Sequence, residues 1–371
     1  MGTYIDEKGN LHSSICPGTY DILDSIVDWV RIIDNHGVII FANKSMKKHL
    51  NMDPEGYNIE SGELKDLPRT VYESHMPYTG VVKEEQKIKD RYYSIQSSPI
   101  MDEFGVIKGR IEVFRDITKE NRIKVNLINA NKKNYQNISF AKLIQSQILP
   151  VTSVETGLRI DYRYIPSGEL SGDFFDVIRV DDDLTFFYIC DVVGHGVGAS
   201  MLTMFVQQSM RTIINEKKIY KPGEVLKALN KRFEKLKLGE EKYITMFCGV
   251  YKRSTSRIYY CNAGHMALPL KITKEGCQEI KGRGLPISPI FTENCHEEKS
   301  CEFKKDDLIL LYTDGITETR NFSGDFYGGG RICGVVSENK EAILDSIIKD
   351  VSSFRWGEQE DDIALLLLQP V

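Results

Sequence analysis

Residues 184–203 read LTFFYICDVVGHGVGASMLT. Thr185–Cys190 is a short run of aromatic and β-branched residues, the mark of a buried strand and too short for a buried helix. Asp191 ends it, and the tight turn Gly194-His195-Gly196 opens a helix from Ala199. This places a carboxylate at the edge of a sheet. Three other segments repeat the arrangement: Gly172-Asp173-Phe174-Phe175-Asp176, then Tyr312-Thr313-Asp314-Gly315 after the run 308–313, then Glu360-Asp361-Asp362 before Ile363–Leu368. Singly, Asp-Gly is a turn signal and Asp-Asp a solvated edge. Four such segments in order predict that carboxylates from several strand ends converge on one sheet edge. Their mutual repulsion is offset by a divalent cation, and an all-oxygen ligand set favours Mg²⁺ or Mn²⁺ over zinc or copper.

The rest of the composition narrows the class. The chain has 371 residues, 41% hydrophobic and 10% aromatic, enough for two domains and a connector and too apolar for a disordered chain. A net charge of −5 argues against a nucleic-acid partner. No apolar run approaches the ~18 residues of a membrane span. The opening MGTYIDEKGN has neither a secretory pattern nor the myristoylation pattern, so a cytoplasmic protein is expected. Its eight cysteines form no Cys-x-x-Cys pair and read as reduced thiols.

Charge also divides the chain. Residues 1–120 carry 15 basic and 20 acidic side chains, 121–150 five basic and none acidic, and 151–371 28 and 33. In the middle segment Ile123, Leu127, Ala130, Asn134, Ile138, Ala141, Ile144 and Ile148 recur at helical spacing. The spacing predicts a helix over 119–150, either a plain spacer or a dimerising signalling helix. Residues 1–19 read as a loose lead-in. Within 20–118, helical spacing covers Tyr20–Asp28. Trp29–Ile33 and Val38–Ala42 read as a hairpin around Asp34-Asn35-His36-Gly37, and Tyr92–Pro99 and Val106–Phe114 flank a second turn.

Two resemblances follow. VRIIDNHGVIIFANKSMKKHL (30–50) and YSIQSSPIMDEFGVIKGRIEVFRDITKENR (93–122) resemble the opening and closing strands of a PAS domain over 20–118. That implies an antiparallel sheet cupping an unidentified ligand or partner. No flavin-adduct cysteine motif is present, and His36, His49, His75 and Cys16 are read as surface or core residues rather than haem ligands.

GELSGDFFDV (168–177), CDVVGHGVGASMLT (190–203), TMFCGVYKRSTSRIYYCNAGHMALPL (245–270), GLPISP (284–289), DDLILLYTDGITETRN (306–321) and EQEDDIALLLL (358–368) follow in order. Together with AKLIQSQILP (141–150) they resemble the metal-dependent PPM (PP2C-like) protein phosphatases of the bacterial sporulation and stress-response, SpoIIE-type, branch. The resemblance implies an α+β chain: a PAS-like sheet domain, a connecting helix, and a β-sandwich flanked by helices over 151–371. It implies two Mn²⁺ or Mg²⁺ ions, with Asp191 as bridging ligand and the backbone carbonyl of Val192, Asp314 and Asp361 completing the site. Asp173 would hold metal-bound water; Asp176 and Asp362 are open. It further implies hydrolysis of phosphoserine or phosphothreonine without a covalent intermediate, on an anti-anti-sigma-type phosphoprotein in a partner-switching pathway. His195 is a candidate general acid, although eukaryotic relatives place a His two positions after the bridging Asp and His195 lies four after it. No counterpart of their phosphate-binding Arg is evident. His265 reads as a turn and packing residue. Two other readings stay open: a non-catalytic PAS-linked regulatory binding protein, and a hydrolase of small phosphate esters.

Overall fold

The computed structural model describes residues 4–5, 11–12, 17–59, 80–150, 157–194, 196–291, 296–338 and 342–371. The chain divides into two compact units, Met1–Lys133 and Asn134–Val371.

In the first unit a five-stranded antiparallel sheet runs in the order Ile39–Ala42, Trp29–Asp34, Ile107–Asp116, Arg91–Met101, Val82–Ile88. The hairpin turn forms where expected. Asp34 Oδ1 accepts the N–H groups of His36 and Val38, and Gly37 supplies the positive φ (77°) that the turn requires. Asn43 caps the helix Lys44–Leu50 by accepting the Met46 N–H at 3.1 Å. Trp29, Ile33, Met46, Tyr93, Ile95 and Phe114 form the core. The N-terminal stretch is less loose than its sequence reads, because Tyr4–Ile5 pairs with Leu11–His12 and a helix spans Pro17–Asp24.

One helix, Thr118–Ile148, follows. Its 31 residues rise ~1.5 Å each, giving about 45 Å. Along most of its length the apolar stripe lies open: Ile123, Leu127 and Ile144 are exposed, and Ile138 and Ala141 are half-buried. Burial comes only at the C-terminal end, where Gln145 is enclosed and Ile148 packs against the second unit's core.

The second unit stacks two five-stranded antiparallel sheets between helices. The first sheet has the order Lys299–Glu302, Arg257–Ala263, Ile244–Lys252, Leu184–Val192, Asp173–Arg179. The second has the order Gly276–Glu279, Leu270–Thr273, Leu308–Tyr312, Ile363–Pro370, Leu158–Ile165. Alternation sorts the side chains. Phe175, Phe187, Ile189 and Phe247 of the first sheet meet Ile309, Leu311, Ala364 and Leu366 of the second. Phe174, Phe186, Tyr188 and Cys190 turn the other way, onto helices Val197–Arg211 and Pro222–Glu234. Leu310, Tyr312, Ile363 and Leu365 turn onto helices Gly329–Glu338 and Ile343–Phe354. A period-2 strand with both faces buried reads as a continuous apolar run, which is why these strands carry so few polar breaks. Each fully buried aromatic in the inter-sheet layer contributes roughly 1.5–3 kcal/mol by burial.

One expectation fails here. Cys190, Cys248, Cys261 and Cys301 are free thiols, but Cys277 and Cys333 form a disulfide. The strand Gly276–Glu279 lies against the helix Gly329–Glu338, which brings the two Cα atoms to 5.7 Å, within bridging range, across a separation of 56 residues. Linear spacing gives no sign of that contact. Cys16 and Cys295 lie outside the described residues.

Candidate metal centre

The carboxylates gather where strands of both sheets start and stop. Asp191 lies in the last turn of its strand, directly opposite Asp173 on the neighbouring one. Both follow the parity of Phe175, Phe187 and Ile189, so both face the space between the sheets. From the second sheet, Asp314 opens the short helix Asp314–Thr317 just beyond Leu308–Tyr312, and Asp361 and Asp362 lead into Ile363–Pro370.

Asp362 ties the two sheets together. Its Oδ1 accepts the Ser167 N–H at 2.7 Å and the Ser167 hydroxyl at 2.9 Å, and its Oδ2 accepts the Gly172 N–H at 2.8 Å. Two glycines let the segments close. A Cβ on Gly315 would lie 2.0 Å from the Asp362 carbonyl oxygen, and one on Gly172 would lie 3.0 Å from the Val192 carbonyl oxygen. The Asp-Gly pair at 314–315 therefore reflects close approach of another chain segment, not only a turn. The turn after Asp191 uses glycines differently: Gly194 and Gly196 have φ of 95° and 77° before the helix Val197–Arg211.

The electrostatics are those of crowded acids. Burial, then Asp314, Asp361, Asp362 and Glu318, push the Asp191 carboxyl up to about 7. Burial and then Asp191 raise Asp173 well above the carboxylate range, against a lowering by the Thr313 hydroxyl. Burial and then Glu318 raise Asp314. Asp173 Oδ2 is buried and has no hydrogen-bond partner. Among the described residues no three such side chains close into a ready metal cage. Asp191 and Asp361 line one pit, and Asp173 and Asp314 lie close enough to Asp191 to repel it. An orphaned buried oxygen among mutually repelling carboxylates fits a donor set for a hard cation.

The other singled-out residues separate. Asp176, three positions from Asp173, faces the helical layer instead, where Arg211 reaches it at 3.0 Å. An odd spacing in a strand puts two side chains on opposite faces. His195 lies outside the described residues. His265 is buried; its Nε2 meets the Tyr312 carbonyl at 3.0 Å and its Nδ1 the Thr245 hydroxyl at 3.3 Å, and burial lowers its pKa to about 4. It packs beneath the pit as a neutral side chain.

Two participants went unnoticed in the sequence. Glu318 stands one helical turn after Asp314 and bears on both Asp191 and Asp314; the i, i+4 spacing was a readable signal. Gln145, on the connecting helix, brackets Ser171. Its Nε2 donates to the Ser171 carbonyl at 2.8 Å and its Oε1 accepts the Ser171 N–H at 3.2 Å, two residues before Asp173. A polar residue in an apolar stripe gave no sign of this.

Comparison with known proteins bears on the family and the fold. A family model described as Stage II sporulation protein E (SpoIIE) matches residues 181–370. Phosphoserine phosphatase RsbP of Bacillus subtilis is 28% identical over 184 residues, 49% of this chain and 45% of that protein. Phosphoserine phosphatase RsbU of the same organism is 23% identical over 325 residues, 83% of this chain and 91% of that protein. The chain spans about half the length of two curated relatives it matches, 45% of RsbP and 51% of Protein IcfG from Synechocystis. Among solved structures, the SiaA-PP2C domain of Pseudomonas aeruginosa superposes with a TM-score of 0.56 at 19% identity, covering 65% of this chain and 98% of that one. The PP2C phosphatase domain and regulatory-domain fragment of SpoIIE from Bacillus subtilis superposes with a TM-score of 0.51 at 13% identity, covering 80% and 84%. At such identities these two likenesses establish the PP2C-like fold.

Proposed function

The chain belongs to the Stage II sporulation protein E (SpoIIE) family, and on that footing we propose that it is a metal-dependent phosphoserine/phosphothreonine protein phosphatase governed by its N-terminal domain. The observation that carries the reading is the cluster in which Asp173, Asp191 and Asp314 are held together with raised pKa values. A structural site would have paired these groups with arginines, as Asp176 is paired with Arg211. Asp191, the Val192 carbonyl, Asp314 and Asp361 would hold Mn²⁺ or Mg²⁺, with Asp173 beside them. When bound, such ions supply positive charge for a phosphoryl group and acidify water. The chain's own part is to hold its carboxylates in place. Asp362 fixes Gly172 against the second sheet, and Gln145 fixes Ser171.

RsbU and RsbP are named phosphoserine phosphatases, which supports a phosphorylated protein substrate of the anti-anti-sigma type. The five-stranded N-terminal sheet supports a PAS sensor over 20–118, followed by the helix of 119–150 and the phosphatase domain over 151–371. The exposure of Ile123 and Leu127 on the apolar stripe supports a homodimer through that helix. Among the described residues no helix is long and apolar enough to cross a membrane, in keeping with a cytoplasmic location. The test is hydrolysis of a phosphoserine protein with Mn²⁺, with and without Asp314→Ala. Turnover that disappears in the variant supports the enzyme; no turnover in the parent protein favours the non-catalytic regulatory reading.

A further inference from the structure

Two clefts meet at Asp361. The larger, about 650 Å³, is lined by Asp191, Glu169, Glu360 and Asp361 and, among the described residues, by no Lys or Arg. The second, about 180 Å³, runs from Asp361 and Gly315 to Arg320 and Arg355. The first offers an anion no guanidinium among its described lining residues; the second offers two, set among the carboxylates of Glu318, Glu358, Glu360 and Asp361. Neither guanidinium is in an ion pair among the described residues. Arg320 lies over the Phe326 ring at 4.6 Å, and Arg355 Nη1 donates to the neutral amide oxygen of Gln359 at 3.4 Å. Gln359 is in turn fixed by donating to the carbonyls of Asp361 and Ile165, both at 2.8 Å. The two arginine-bearing segments are laced together where the Trp356 N–H donates to the Arg320 carbonyl at 2.9 Å. The cleft thus places two fork-shaped donors, the kind of group that binds phosphate, in one lining with Asp361.

We propose that Arg355, with Arg320 beside it, holds the phosphate-ester dianion of the substrate in this cleft. The proposal rests on the phosphatase reading and supplies the capturing cation that the sequence comparison lacked. Binding through Arg355 acts on substrate affinity more than on turnover.

The test uses the full chain with Mn²⁺, p-nitrophenyl phosphate as substrate and inorganic phosphate as ligand. KM is measured by steady-state kinetics and phosphate Kd by equilibrium dialysis. Arg355→Ala is expected to raise both about tenfold, equivalent to ~1.4 kcal/mol, while kcat falls less than about threefold. Arg355→Lys, which keeps the charge but not the fork, falls between. Arg331→Ala removes an arginine paired with Asp350 at 2.8 Å outside the cleft and should change neither constant. Unchanged KM and Kd in Arg355→Ala, or equal shifts in Arg331→Ala, overturn the proposal while the phosphatase reading stands. A parent protein that turns over no ester overturns both.

Discussion

Replacing Asp362 by Asn exchanges one oxygen for an NH₂ group and should unlock the two sheets. The carboxylate now accepts three hydrogen bonds, two on Oδ1 from Ser167 and one on Oδ2 from Gly172. An amide has one oxygen. If it faces Ser167, the NH₂ points at the Gly172 N–H, donor against donor. The side chain is 4% exposed, so water cannot relieve the clash. A buried donor left unmade costs about 1–3 kcal/mol, and the two surviving bonds lose their charge assistance, about 1 kcal/mol more. The sum is about 3 kcal/mol. For a unit this size, each kcal/mol moves Tm by about 2–4 °C, so the melting temperature should fall by about 6–12 °C. Circular dichroism melts in EDTA measure this without any contribution from bound metal. Because Gly172 precedes Asp173, phosphatase activity with Mn²⁺ should also fall, by about tenfold or more. A Tm change below about 2 °C would refute the reasoning, since it would mean the inter-sheet bonds contribute nothing net.

Other expectations follow from single residues. Asp191→Asn or Asp314→Asn should abolish Mn²⁺-dependent turnover with far-UV circular dichroism unchanged, and chelation should do so reversibly; a demetallated sample working at the original rate contradicts the two-metal site. His265 has a folded pKa of about 4 against an ordinary 6.5, so between those values the unfolded chain binds a proton that the folded one does not. Stability should therefore fall as pH drops through that window, by about 1.4 kcal/mol per unit. Urea unfolding at pH 7 and pH 5 should show a smaller pH dependence in His265→Gln than in the parent. Gly315→Ala puts a Cβ 2.0 Å from the Asp362 carbonyl oxygen, and should cost about 3 kcal/mol or more in urea unfolding together with the activity. Leu127→Glu should turn a dimer into a monomer by light scattering and shift phosphatase rate; unchanged mass and rate would leave the helix a plain spacer.

Much of the fold was legible because the relevant physics is local. The strand from 184 is announced by its aromatic and β-branched run, and the hairpin at 34–37 by an Asp and a Gly that each do one thing in the turn. Asn43 marks a helix start through a bond only three residues long. Strand parity even carried the information that Asp173 and Asp176 part company. The depth of Asp362, the bracket around Ser171 and the Cys277–Cys333 bridge were not legible, since each joins segments far apart in the chain.

The sequence by itself therefore determined which segments become strands and that four of them carry an acid at an end, because period, propensity and turn chemistry act within a few residues. Only the tertiary structure decided which acids share a pit and which is a staple. Gly172 and Asp362 are 190 residues apart, and stacking two sheets makes them neighbours. Burial between those sheets, a property of the packed pair and of neither strand alone, is what raises the Asp191 carboxyl and leaves Asp173 Oδ2 without a partner.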